Sequence, residues 1–149
     1  MKGIVALWFA LAAAAPASPP PEIGRIRVHL LLEASGRLSP DIAPPAKFTG
    51  WNSVIGEGSA GEPANDLLIL VEVKAATDDY IKAPLSIVAR GAKGKLLGQR
   101  RFAGGLLIEG GRVWKPLWLT DVGCAGPVKV TATIGRSTRT AAIALDCGE

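Results

Sequence analysis

Helical periodicity is missing from this chain. No stretch of any length repeats its apolar residues at the 3.6-residue spacing of an amphipathic helix. Aromatic residues are scarce at 5%, and His29 is the only histidine. Zinc sites draw on several His or Cys ligands, and a Ser–His–acid triad needs a nucleophile and an orienting acid beside its base. There is no Gly-x-Ser-x-Gly elbow to supply the nucleophile. The two cysteines are not in a Cys-x-x-Cys arrangement, which argues against a zinc knuckle or a thioredoxin-like redox centre. The formal net charge of +4 is too mild for a nucleic-acid binder, which concentrates far more charge on one face. The longest unbroken apolar run, Ile4 to Ala15, has twelve residues, short of the roughly 20 needed to span a bilayer as a helix.

Hydrophobic residues make up 48% of the 149, enough for one domain with a real core. Gly 18 and Pro 11 suit many short strands joined by tight turns. The N-terminus reads as an export signal. Lys2 precedes the apolar run, and Ala15-Pro16-Ala17 offers a small-x-small cleavage site with Ser18 as the new N-terminus. A retained N-terminal anchor is the alternative. The expected organisation is a signal peptide over 1–17, a Pro-rich spacer over 18–22 and a single domain over 23–149. Export to a periplasm or the cell exterior follows, with no transmembrane segment after cleavage.

The end of the chain is the most informative stretch. Val128, Val130, Ala132 and Ile134 alternate with Lys129, Thr131 and Thr133. Beyond Gly135-Arg136, Arg139, Ala141, Ile143, Leu145 and Cys147 alternate with Thr140, Ala142, Ala144 and Asp146. Two half-buried strands joined by a hairpin give this pattern. If Gly135-Arg136 is a two-residue type II′ loop, Ile134 faces Ser137, Val130 faces Ala141 and Val128 faces Ile143. Continuing outward sets Cys124 opposite Cys147. A four-residue loop would move the cysteines to a diagonal but keep them on one face. Both registers predict a disulfide, which fits an oxidising compartment.

Upstream, Ile26, Val28, Leu30 and Leu32 alternate with Arg25, Arg27, His29 and Leu31, a first strand with a basic outer face. Ser39 to Lys47 carries three prolines and reads as a crossing loop. Trp51, Val54 and Ile55 suggest a short strand. Gly56 to Asp66 has turn composition and no period, and its eleven residues approach the length at which loops are often functional. Leu67 to Ala75 is nearly continuous apolar sequence, as expected for a central strand. Asp78-Asp79 mark a turn. Leu85 to Arg90 and Lys95 to Phe102 flank the turn Gly91-Ala92-Lys93-Gly94. Leu106 to Glu109 and Arg112 to Leu119, joined by Gly110-Gly111, read as another hairpin. Pro116 cannot donate to a ladder, so its strand belongs at an edge or a bulge. The predicted fold is an all-β, immunoglobulin-like antiparallel sandwich of seven to eight strands, with a small β-barrel as the alternative. The tryptophan that immunoglobulin domains bury midway between their cysteines is absent.

Each candidate site has a plainer structural counterpart. His29 sits on the polar face of the first strand. Glu57, Glu62 and Asp66 could do acid–base work on a glycoside or bind calcium, although three acids among glycines also make an ordinary soluble loop. Trp51 and Asn52 open that loop, with Trp51 plugging one end of the sandwich and Asn52 capping the turn as their structural roles. Trp114, Pro116 and Trp118 share one face of a strand with Arg112. Indoles four residues apart on a strand are separated by about 13 Å, which suits alternate sugars or a partner protein. The other outcome is that this row fills the core and Val113, Lys115, Leu117 and Leu119 face outward. Lys93, Lys95, Arg100 and Arg101 could meet an anionic surface or guard a strand edge. The expected function is a non-enzymatic exported domain with a protein-interaction or adaptor role in the cell envelope. A carbohydrate-binding module using Trp114 and Trp118 is the alternative, and a hydrolase using the loop carboxylates ranks behind both. No cofactor, metal or nucleic-acid partner is expected.

Overall fold

A computed structural model describes residues 18–76 and 78–148. The predicted leader over 1–17, with its cleavage site, lies outside the described residues. The fold is an all-β sandwich of two four-stranded antiparallel sheets. The first contains β1 (Glu22–Leu32), β2 (Arg37–Leu38), β4 (Leu67–Lys74) and β9 (Arg112–Leu119), in the order β2-β1-β4-β9. The second contains β6 (Leu85–Arg90), β7 (Leu96–Phe102), β10 (Val128–Ile134) and β11 (Ser137–Ile143), in the order β11-β10-β6-β7. Two small ribbons complete it. β3 (Gly50–Trp51) pairs in parallel with β12 (Leu145–Asp146), and β5 (Asp79–Ile81) pairs antiparallel with β8 (Leu106–Ile108).

Alternation decides which side chains meet in the middle. Val28, Leu30, Leu67, Ile69, Val71 and Val73 turn inward from the first sheet. Leu85, Ile87, Val128, Val130 and Ile134 turn inward from the second, and all are essentially inaccessible to solvent. Each large apolar side chain so buried contributes roughly 1.5–3 kcal/mol. β4 is central, as its apolar run predicts, and β9 is an edge, as Pro116 requires. The carbonyl of Pro116 accepts a hydrogen bond from Arg100 Nη1 (3.2 Å), on the side away from β4. The proline nitrogen lies on that same side of the strand, where there is no ladder bond to lose.

The terminal hairpin has the expected register, with Ile134 opposite Ser137, Val130 opposite Ala141 and Val128 opposite Ile143. Gly135 takes a positive φ of 54° and Arg136 does not, as a type II′ loop demands. The ladder ends at Val128 and Ile143, so the cysteines are not a ladder pair. Cys124 and Cys147 are nevertheless disulfide-bonded, with their Cα atoms 5.1 Å apart. Residues 145–146 have left the hairpin to join β3.

Four other expectations need correction. The predicted hairpin of Leu106–Glu109 with Arg112–Leu119 does not form. β8 pairs with β5 instead, burying Leu106, Ile108 and Ile81, and a single bridge joins Glu109 to Arg112. Asp79 begins β5 rather than sitting in a turn. The short strand expected over Trp51–Ile55 is only Gly50–Trp51, followed by a 3-10 turn over Ser53–Ile55. Glu22 belongs to β1 rather than to the spacer.

The parallel β3–β12 ribbon depends on Gly50. A methyl group there would run into the carbonyl oxygen of Ala144 and crowd Leu145 and Phe48. Gly50→Ala is therefore expected to lower stability by about 1–3 kcal/mol, read from the guanidinium unfolding midpoint. An unchanged midpoint would mean that the C-terminal strand is not packed against this residue.

Candidate binding face

β9 sets its side chains by parity. Leu117 and Leu119 point into the core at 5% and 2% exposure, so Arg112, Trp114, Pro116 and Trp118 point outward. The tryptophan row therefore does not fill the core. Both faces of β9 are apolar, but only one is opposed by a second sheet.

Register then assembles the face across strands. Trp118 lies beside Leu68, which lies beside His29. Pro116 lies beside Leu70, which lies beside Arg27, and Trp114 lies beside Glu72. Leu31 lies beside Leu38 at the far edge. Trp118 and Leu38 are 43% and 45% exposed, whereas Leu31, Leu68, Leu70, Trp114 and Pro116 are half-buried by one another. The Arg27 guanidinium sits 4.7 Å from the centroid of Trp114, a cation–π contact that covers part of that indole. Trp118 is thus the open anchor of the face, and Trp114 is partly lidded.

Glu72 is the one acid in this central block. It is 4% exposed and stands between Lys74 (3.9 Å) and Arg112 (3.7 Å), which offset its charge. His29 Nδ1 donates to the Ser39 carbonyl (2.8 Å). The ring is thereby tied to the loop beside β1, with no carboxylate bonded to it among the described residues.

The Trp51–Asp66 loop is largely occupied with holding itself. Trp51 is 49% exposed and does not plug the sandwich; its ring lies across Gly148, where an added side chain would collide with it. Asn52 takes a left-handed conformation (φ 46°) and makes no side-chain cap for the 3-10 turn. Its Oδ1 instead accepts from the Gly148 N–H (2.7 Å), and its Nδ2 donates to Glu57 (2.7 Å). Glu62 accepts from the Ser35 N–H and hydroxyl and pairs with Arg37 (3.8 Å). Asp66 accepts from the Asp121 N–H (3.1 Å). The three carboxylates are thus spread over separate structural bonds and do not converge on one point. Among the described residues, no group of three or more His, Cys, Asp or Glu side chains is placed to hold a metal ion.

Lys93 sits in the middle of a 3-10 turn over Ala92–Gly94 and Lys95 caps its end, ahead of the edge strand β7. Arg100 stacks on Phe102 at 4.6 Å, and the Lys115 ammonium approaches the same ring at 5.4 Å. These cations dress the seam between β7 and β9 instead of forming one patch with Arg101. Inward-parity charges at an edge also discourage edge-to-edge pairing.

Two features went unread in the sequence. The stacking of Arg27 on Trp114 leaves no local signal, because its partners lie on different strands. The second is a backbone irregularity at Gly24. Ile23 and Ile26 are both buried although three residues apart, a parity break that announces a β-bulge. No protein-family model and no curated protein matches the chain.

Proposed function

We propose that this protein is an exported, non-enzymatic interaction domain of the cell envelope that receives a partner protein on the outer face of its first sheet. The observation that carries the reading is Trp118, exposed on an edge strand and continuous with Leu68, Leu70 and Pro116. A tryptophan anchor in an apolar field with arginines beside it is the usual composition of a protein-binding hot spot. The Cys124–Cys147 disulfide supports an oxidising destination. No helix among the described residues is long and apolar enough to cross a membrane.

Trp118→Ala tests this directly. Trp118 is 43% exposed and partly packed beside Leu68, so truncation should lower stability by about 1–2 kcal/mol with the fold retained. A partner recovered from envelope extract by the wild-type chain and then purified should bind the variant at least tenfold more weakly, the loss expected of an anchor worth about 1.4 kcal/mol or more. Equal affinity would remove the face from consideration. A glycan ligand is the second reading, favoured by two indoles on one face at about 13 Å spacing. The same purified chain, titrated with oligosaccharides while tryptophan emission is followed, should show no change. A saturable quench lost in Trp118→Ala would favour the sugar instead.

A further inference from the structure

The edge of the first sheet opposite β9 is only partly covered. Leu31 and Leu32 of β1 pair with β2. The Leu30 N–H then donates to Ser39 Oγ (2.9 Å), the Val28 N–H donates to Asp41 Oδ1 (3.0 Å), and the Val28 carbonyl accepts from Ile42 (2.8 Å). At the other end, the Ile23 N–H donates to Ser137 Oγ (2.9 Å) on β11, the outer strand of the second sheet. Gly24 to Arg27 lie between these fastenings. Of these, Gly24, Arg25 and Ile26 face Arg139, Thr140 and Ala141 of β11 across a cleft of about 540 Å³.

Two details keep this cleft open. The register of β1 against β4 jumps from Ile23–Val73 to Ile26–Val71, so β1 has one residue more than its partner. Such a bulge takes backbone out of the ladder and re-aims the side chains beside it. Gly24 also has no room for a side chain, because a Cβ would strike the Glu72 carboxylate and the Lys74 side chain that form the floor.

Charge says what the cleft would hold. Asp41 Oδ1 already accepts from the Val28 and Ala43 N–H groups. Glu72 is flanked by Lys74 and Arg112. Arg25 and Arg139 line the cleft from its two sides, and neither guanidinium has an ion pair or ring contact among the described residues. The acids are committed and the two arginines are not. Guanidinium groups present planar forks of donors matched to carboxylate or phosphate.

We propose that the cleft between β1 and β11 binds a small ligand through an oxyanion group gripped by Arg25 and Arg139 from facing sheets. The volume is that of an ordinary small-molecule site. The run of β1 between its fastenings is four residues, about 13 Å, shorter than the usual length of an added strand. The site adjoins the tryptophan face at Glu72, but its two arginines lie outside that face and Trp118 does not line it.

The test is a titration of the full, oxidised chain, followed by amide NMR at constant ionic strength. Inorganic phosphate, glucose 6-phosphate and glucuronate are the probes. The expected result is saturable shifts at residues 24–26 and 139–141, weakened tenfold or more by Arg25→Ala or Arg139→Ala. Arg101→Ala, on the far edge of the second sheet, should leave them unchanged. Saturation by the phosphates alone assigns a phosphoryl ligand, and saturation by glucuronate alone assigns a carboxylate. Should an alanine variant lose its dispersed spectrum, Arg25→Lys and Arg139→Lys keep the charge but not the fork, and binding should still weaken several-fold. Trp118→Ala should bind the probes as the parent does, which separates this proposal from the protein-docking reading. No saturation with any probe, or equal saturation in the arginine variants, overturns it.

Discussion

Cys147→Ser is expected to lower the stability of the chain by about 3 kcal/mol, from the loop-closure entropy of a cross-link of this span. The cysteines are separated by 23 positions. That is a large fraction of the 5–15 kcal/mol by which ordinary domains are stable, and roughly 10 °C in Tm for a domain of this size. The effect should be felt unevenly. β12 is two residues long and pairs only with β3, itself two residues long. The last turn hangs on the Asn52 N–H donating to the Asp146 carbonyl (2.7 Å) and the Gly148 N–H donating to Asn52 Oδ1 (2.7 Å). Without the cross-link, amide exchange at residues 50–52 and 145–148 should approach that of free chain. The β4, β6 and β10 amides should still exchange only by global unfolding. Guanidinium unfolding of the wild-type and variant chains gives the magnitude, and exchange gives the distribution. An equal midpoint in the two chains would show that the C-terminal clip contributes nothing. Emission from Trp118 should be unchanged, because the first sheet does not depend on the cross-link.

Ile69→Ala should cost about 4 kcal/mol, and Leu68→Ala on the same strand about 1 kcal/mol. Ile69 lies at the middle of β4, fully inaccessible, between Val28 of β1 and Leu117 of β9. It faces the second sheet. Truncation there removes transfer energy and leaves a cavity that two packed sheets cannot close. Leu68 faces outward between His29 and Trp118 and is only half-buried. Its truncation exposes little that was dry and leaves no enclosed hole. Urea unfolding of both variants at low protein concentration measures the contrast. Equal costs would mean that the outer face is already covered in the isolated protein, and the proposed docking surface would not be free. A reversed order would mean that the sandwich is inside out relative to this description. The comparison therefore bears on fold and function together.

How much of this was legible beforehand depended on the range of the interaction. Alternation and turn chemistry act between neighbours along the chain. They narrowed the β10–β11 register to two, and the one formed is that of a two-residue loop at Gly135-Arg136, which sets every pair behind it. They sufficed for the central place of β4, which is too apolar for an edge, and the missing N–H at Pro116 narrowed β9 to an edge or a bulge, of which the edge is the outcome. The cysteine pairing came from the same counting, although the ladder stops before it reaches them.

Where two outcomes were locally equivalent, only packing could choose. Both faces of β9 are apolar, so the outward aim of Trp114 and Trp118 was decided by which face met the second sheet. Leu106–Ile108 would have served equally well against β9, but β5 offered it Ile81 and a shared place in the core. Asn52 carries the same side chain whether it caps a turn or clasps the C-terminus. The choice depended on Gly148, distant along the chain, arriving within hydrogen-bonding reach. Arg25 and Arg139 share one cleft for the same reason. Local sequence determined strands and turns and narrowed the hairpin register to two, because those depend on adjacent backbone and side-chain period. Tertiary structure decided which faces stayed open and which distant residues met there, because that depends on the summed burial of both sheets at once.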